Sequence, residues 1–258
     1  IAYFGYQHEL KDHSFAVDAK MFVATLKKFK NDFKVIHSKK TDKIIFFDEQ
    51  QEIDFIRQPA EILLSTFNLK WEPLDEFAKA WNIAQKFIAA DFPGVRINHN
   101  YIEVLSDNSI VRIQTPTRGL TGIFASVKLP AGISKVSQHN NRLWFYATNF
   151  DHIVVNHLDI NFPNTDTYFN QWPDDFEEIP NILKQRFVET DKTVFDAEGV
   201  KFIQEEKATA VIENIIGRGH YSGKLFSNIL SYGDRYSFQD RFVAFEAPHI
   251  KGVVARAD

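Results

Sequence analysis

Lys43-Ile-Ile-Phe-Phe47, Tyr101-Ile-Glu-Val-Leu105, Arg142-Leu-Trp-Phe-Tyr146, Gly199-Val-Lys-Phe-Ile203 and Phe242-Val-Ala-Phe-Glu246 are five apolar stretches of one kind. Each is short and rich in β-branched and aromatic residues, the composition of a strand opening a hairpin. They begin 58, 41, 57 and 43 residues apart. Long and short steps alternate, so one long-short pair spans about 100 residues, and a tandem array with a two-part repeat has that signature.

Two kinds of unit alternate around these stretches. The odd kind places a basic, helix-like segment ahead of its hairpin. In the first copy, Asp18 to Phe29, the residues Met21, Phe22, Thr25, Leu26 and Phe29 form a helical stripe, with Lys20, Lys27, Lys28 and Lys30 largely off it. The second copy is Lys128-Leu-Pro-Ala-Gly-Ile-Ser-Lys135 and the third Lys224-Leu-Phe-Ser-Asn-Ile-Leu-Ser231. The even kind opens with Phe67-Asn68-Leu-Lys-Trp71-Glu-Pro73, repeated as Phe169-Asn170-Gln-Trp172-Pro173. Proline followed by Asp75 and Glu76, or by Asp174, Asp175, Glu177 and Glu178, signals a helix start, which predicts helices over 74–89 and 174–187.

The order is odd, even, odd, even, odd. Residues 1–10 read as a strand leading into the first odd unit, and the chain opens without Met. The expected division is 1–58, the second half of a first domain whose first half is missing, then 59–160 and 161–258. An N-terminal appendage on a two-domain protein is the alternative. Pro59 and Pro163, each among polar residues, mark the expected linkers.

Composition narrows the chemistry. The chain of 258 residues has no cysteine, which excludes disulfides, cysteine-based metal sites and a thiol nucleophile, and fits a reducing interior. Its apolar runs fall well short of the ~20 residues that span a bilayer. Ile1 to Glu9 lacks the basic start and cleavage site of a signal peptide. The net charge of −4 argues against nucleic-acid binding by the whole surface but leaves room for one basic face.

Helix-plus-strands units repeated head to tail over nearly the whole chain resemble the DNA polymerase sliding clamps, bacterial or phage processivity factors, with the closest local likeness to the three-domain bacterial type. Leu105-Ser106-Asp107-Asn108-Ser109-Ile110-Val111 resembles that family's Ala-Thr-Asp-Gly-His-Arg-Leu segment, keeping Asp107 and a small hydroxyl at Ser106. Phe162-Pro163-Asn164 resembles the Phe-Pro-Asp that opens the third domain, and Phe242 to Ala255 resembles the final strands.

The resemblance implies an α+β DNA-clamp fold: a ring with helices on a basic concave face and sheets outside. It would encircle duplex DNA, tether a polymerase and be opened by a clamp loader. Three domains per chain imply a homodimer; two would imply a trimer. Candidate channel residues are Lys20, Lys27, Lys28, Lys79, Lys86, Lys128, Lys135, Lys184, Arg186, Lys224 and Arg235. Non-sequence-specific phosphate contacts are what a sliding ring needs. The family's partner-peptide pocket, carried over residue by residue, implies Ser106, Asn108, Val111, Pro163, Val253 and Val254. No catalytic residue, metal or cofactor is implied, and the expected location is the cytoplasm (the nucleoid, or an infected cell).

Other motifs carry little chemistry. Gly217-Arg-Gly-His-Tyr-Ser-Gly223-Lys224-Leu225 departs from a phosphate-binding loop in glycine spacing and lacks its Ser/Thr. His8 and His13, and His152 and His157, are five apart in strand-like or loop contexts, which points to surface or packing roles rather than a metal site. Acidic pairs at turns and helix starts read as caps. Two other classes stay open: a repetitive structural or interaction protein, such as a virion component, and a β-rich hydrolase or transferase without a sequence signature.

Overall fold

In a computed structural model of the chain, residues 2–3, 19–29, 32–38, 41, 43–56, 69–88, 92–130, 132–147 and 150–257 are described. Each of the five quoted stretches is the middle strand of a three-stranded antiparallel meander, and each strand begins at the quoted residue. Unit 1 comprises β1 (Ala2–Tyr3), α1 (Ala19–Leu26), β2 (Lys34–Ser38), β3 (Lys43–Phe47) and β4 (Glu52–Ile56). Unit 2 comprises β5 (Glu72–Pro73), α2 (Asp75–Ala84), β6 (Gly94–Asn98), β7 (Tyr101–Ser106) and β8 (Ser109–Gln114). Unit 3 comprises β9 (Gly122–Ala125), β10 (Ile133–His139), β11 (Arg142–Ala147) and β12 (Phe150–Asn156). Unit 4 comprises α3 (Asp166–Asn170), β13 (Glu177–Glu178), α4 (Asn181–Arg186), β14 (Lys192–Asp196), β15 (Gly199–Gln204) and β16 (Lys207–Glu213). Unit 5 comprises β17 (Gly219–Ser222), α5 (Gly223–Tyr232), β18 (Arg235–Phe238), β19 (Phe242–Ala247) and β20 (Ile250–Ala255).

The lead strands are exchanged between sister units. β5 pairs with β10 and β9 with β6, which ties unit 2 to unit 3. β13 pairs with β18 and β17 with β14, which ties unit 4 to unit 5. The two pairs are then fused by the last strands of units 2 and 5, for β8 lies antiparallel on β20 with Ile113 opposite Ile250 and Ser109 opposite Val254. The result is one eight-stranded sheet crossing both pairs. β1 lies on the outer edge of β12. Among the described residues, the outer edges of β4 and β16 carry no strand.

Alternation along the strands decides what is buried. Ile102 and Val104 on β7, and Val243 and Phe245 on β19, point under the helices into one core. Trp81, Phe87, Phe124, Phe145, Phe202 and Phe226 fill the same core, which accounts for much of the phenylalanine in the sequence. Gly252 is imposed by close approach, since a Cβ there would stand 2.5 Å from the Phe245 ring. Unit 1 has a smaller core of Ile44, Phe46 and Phe55, with Leu26, Phe29, Val35 and Ile53 against it.

Two predicted helices are corrected. The Lys128–Lys135 segment is not helical: residues 126–130 run as a loop and β10 begins at Ile133. Pro130 has no N–H to donate, and Gly132 takes φ +88, so two helix breakers fall within three residues. The helix predicted over 174–187 shrinks to α4, Asn181–Arg186. Asp175, a helix-start acid by its place in the sequence, instead accepts hydrogen bonds from the Ser237 hydroxyl and the Gln239 amide. That holds the segment extended, with Pro180 just before the helix. α5 matches its prediction closely, capped by the Ser222 hydroxyl accepting from Leu225 N and ending at Gly233.

Candidate functional site

The sheets have a helix side and an outer side, and the candidate residues divide between them. On the helix side, α2 buries Leu74, Phe77, Trp81 and Ala84 and leaves Lys79 exposed. α5 buries Phe226, Ile229 and Leu230 and leaves Lys224 exposed. α4 buries only Leu183, so Lys184 and Arg186 lie outside. α4 packs beside α5, and Asn228 of α5 donates its side-chain amide to the Lys86 carbonyl (2.8 Å), just past the end of α2. The three helices therefore form a continuous layer.

Lys128 joins this layer without a helix. Its loop is docked on α2 by Trp81 Nε1 donating to the Val127 carbonyl at 2.7 Å and by Leu129 N donating to Asn82 Oδ1 at 3.3 Å. Lys79, Lys86, Lys128, Lys184, Arg186 and Lys224 thus share one side. α4 and α5 carry no acidic residue, and α2 carries Asp75 and Glu76 only in its first turn. Lys184 is partly engaged, donating to the Gly233 carbonyl at 2.8 Å and lying 3.7 Å from Asp234. Lys27 and Lys28 are exposed just past α1; Lys20 lies in α1, its side chain outside the described residues.

Lys135 and Arg235 are corrected to the outer side. They sit on β10 and β18, next to Val136 and Tyr236, which point into the core. Alternation therefore turns both cations away from the helices. Arg235 pairs with Glu246 at 3.2 Å and donates to the Phe176 carbonyl at 3.0 Å. Lys135 stands 5.9 Å from the Tyr146 ring.

The outer side is crossed by a strap, residues 162–176, which in sequence has the features of a linker and a helix start. Four of its aromatic residues each meet a cation on the sheet. Arg96 lies 5.0 Å from Phe162, Arg112 3.9 Å from Phe169, Lys251 5.1 Å from Trp172 and Arg235 5.5 Å from Phe176. Phe169, Trp172 and Phe176 stack in sequence, at 5.5 Å and 5.7 Å. Trp172 Nε1 donates to Glu246 at 2.9 Å. Under the strap, Glu103 is fully buried and accepts from Arg112 Nε and from the Thr165 hydroxyl, each at 2.6 Å, with Arg96 3.4 Å from its second oxygen. Burial works against the Arg112 charge, but hydrogen bonds to Glu103 and Asp166 outweigh it and hold the guanidinium above its ordinary value. The 100-residue repeat places Trp71 likewise, edge-on to Tyr146 at 6.0 Å.

The predicted peptide-pocket residues do not form one surface. Val111 and Val254 are fully buried on the helix side, where strand alternation puts them, and cannot line an outer groove. Val253 faces the other way and is also buried. Ser106 and Asn108 are at the β7–β8 turn, where the Asn108 carbonyl accepts from Ala255 N at 2.8 Å. Pro163 is exposed on the strap, and Tyr168 of α3 packs edge-on to Phe242 at 6.3 Å. An open hollow of about 560 Å³ beside the strap's start is lined by Arg96, Asn98, Phe162, Asn164 and Asp166. Its one carboxylate, Asp166, is bound to Arg112, so it does not offer converging acids. Among the described residues, no group of three or more His, Asp or Glu is placed to hold a metal.

Solved structures share this fold. The Helicobacter pylori β clamp, bound to a DNA ligase peptide, superposes with a TM-score of 0.63 at 10% identity, covering 100% of this chain and 85% of its own. The Bacillus subtilis sliding clamp gives 0.58 at 14% identity over 93% and 78%. The fold is that of a DNA polymerase sliding clamp. A Pseudomonas aeruginosa sliding clamp gives 0.56 at 10% identity over 93% and 81%. No protein-family model matches the chain, and no curated sequence matches it. The clamp fold explains the two-sided layout: one helix layer, one sheet exterior, and repeated units between.

Proposed function

We propose that this chain is a DNA polymerase processivity factor: with a second copy it closes head to tail around duplex DNA, helix layer inward. The observation that carries this reading is the acid-poor, cation-bearing layer of α2, α4 and α5 on a clamp fold. Lys79, Lys86, Lys128, Arg186 and Lys224 would meet phosphates without reading sequence, with Lys27 and Lys28 doing the same in unit 1. Such contacts are electrostatic and weaken with salt, which permits sliding. Persistence on DNA would come from topology, and the gain to a polymerase from effective concentration. The chain would do no chemistry itself. Residues 1–58, 59–160 and 161–258 would be successive domains of the ring, acting on DNA in the cytoplasm with a polymerase and a loader as partners. Partner peptides would dock near the β7–β8 turn, at Ser106 and Asn108, on the side where Tyr168 of the strap packs on Phe242.

The test is topological. Protein is threaded onto linear duplex at low salt, both ends are blocked with a bulky cap, and salt is raised. Retention that disappears on cutting the DNA supports the reading; equal retention with open and blocked ends overturns it.

A further inference from the structure

We infer that the open hollow beside the start of the strap is a carboxylate-binding site, which takes an acidic residue flanked by an apolar one on a partner peptide. The hollow lies against β6 and β9, and Asn98 on its wall faces Tyr101, at the end of β7 opposite Ser106. It is therefore separate from the docking place proposed at the β7–β8 turn. It also stands apart from the ring, since it needs neither DNA nor a second copy of the chain.

Arg96 is the odd member among the arginines of the outer side. Arg112 donates to Glu103, Thr165 and Asp166, and Arg235 donates to Glu246 and to the Phe176 carbonyl. Arg96, among the described residues, has one ionic contact, to Glu103 at 3.4 Å, longer than an ordinary hydrogen bond. The Glu103 oxygen that it faces is buried and has no hydrogen-bond partner. A guanidinium carries five N–H donors in a planar fork that matches a carboxylate. The Arg96 fork lies 5.0 Å from the Phe162 ring and borders the hollow, so its donors are left to a ligand there.

Two asparagines on the wall add donors. Asn98 Oδ1 accepts from His99 N at 2.8 Å and Asn164 Oδ1 from Asp166 N at 3.0 Å, so both amide oxygens are engaged by the backbone. Asn98 Nδ2 donates one of its two hydrogens to the Tyr101 hydroxyl at 2.8 Å and keeps the other, and Asn164 Nδ2 keeps both among the described residues. The one carboxylate on the wall, Asp166, is held by Arg112. Donors thus outnumber free acceptors, which is the polarity of an anion site, while Phe162 and Ile123 supply apolar wall. Charge selects the anion. Arg96 and Arg112 against Glu103 and Asp166 sum to zero, and Arg96 is the one cation on the wall. A carboxylate adds a single negative charge beside it. A phosphate monoester would add about −1.5 to −2 next to two fixed carboxylates. A hollow of about 560 Å³ that is open on one side admits two neighbouring side chains of a peptide laid across it.

The test titrates three blocked tetrapeptides, Gly-Glu-Phe-Gly, its glutamine twin and its phosphoserine twin, into the nitrogen-15-labelled full chain. The Arg96 Nε–H resonance, assigned by its loss in Arg96→Lys, is followed by NMR. The glutamate peptide is expected to shift that resonance and to bind roughly tenfold tighter than either twin, the scale of a charge-assisted hydrogen bond. Asn164→Asp keeps an acceptor for Asp166 N and leaves the Arg96–Glu103 contact alone, but replaces an amide donor with a carboxylate. It is expected to weaken the glutamate peptide roughly tenfold with the melting temperature unchanged. Equal binding of the glutamate and glutamine peptides, tighter binding of the phosphopeptide, or glutamate binding that survives Asn164→Asp overturns the carboxylate assignment. No shift at Arg96 with any of the three peptides overturns the site itself. Retention on end-blocked DNA is read separately and bears on the ring alone.

Discussion

Lys224 and Arg235 stand eleven residues apart in one unit, and the structure gives them opposite surroundings. Lys224 lies on a helix without acids, exposed on the helix side. Arg235 lies on the outer side, paired with Glu246 and seated beside Phe176. The same contrast separates Lys79, Lys86 and Lys128 from Arg96, Arg112 and Lys251. Outer-side cations are components of the fold, tying the strap to the sheet; helix-side cations are available to a ligand. Charge alone does not tell the two apart, because what distinguishes them is the carboxylates and rings within reach.

The comparison breaks most visibly at Arg112. Arg112→Ala leaves the fully buried Glu103 without its main partner, and removing one member of a buried pair costs about 3–5 kcal/mol. Denaturant melting should show that loss. Trp172→Ala removes the middle ring of the stack and a hydrogen bond to Glu246; about 2 kcal/mol is expected by the same measurement. The helix side should behave in reverse. Lys86→Ala with Lys224→Ala should leave stability within about 0.5 kcal/mol. In DNA titrations at several salt concentrations, the double variant should lower the slope of log affinity against log salt by about 0.9 for each phosphate that is no longer neutralised.

A last effect appears only at high pH and concerns Tyr236, which points into the core. Burial, with a smaller contribution from Glu177, pushes its hydroxyl up to about 12 from 10.0. The unfolded chain would then release this proton first, so the stabilisation is complete below pH 10.0 and is lost as pH rises toward about 12. Tyr236→Phe should flatten the fall in melting temperature across that window.

Much of the fold is legible in the sequence because the middle strands are compact runs rich in β-branched and aromatic residues, and all five begin where the pattern places them. The exchanged lead strands are not legible, since Glu72–Pro73 and Glu177–Glu178 are two-residue strands that carry no period of their own. A helix over Lys128–Lys135 follows only if the lysines are weighed above Pro130 and Gly132. Lys135 and Arg235 are misplaced for a related reason: counted as members of a basic set, they are not assigned a face, although Val136 and Tyr236 beside them carry that signal. Val111 and Val254 enter by resemblance to a family motif, and strand alternation sends both into the core. The strap leaves a trace in the sequence, Phe169, Trp172 and Phe176 at spacings of three and four, but that spacing also fits a helix.

The central claim is that DNA meets the helix side. A photo-cross-linking residue placed at Lys224 or at Arg235, in protein threaded on end-blocked duplex, reads this directly. Strong cross-linking from position 224 with little from position 235 is the predicted result. Equal yields from the two positions, or more from 235, would contradict it.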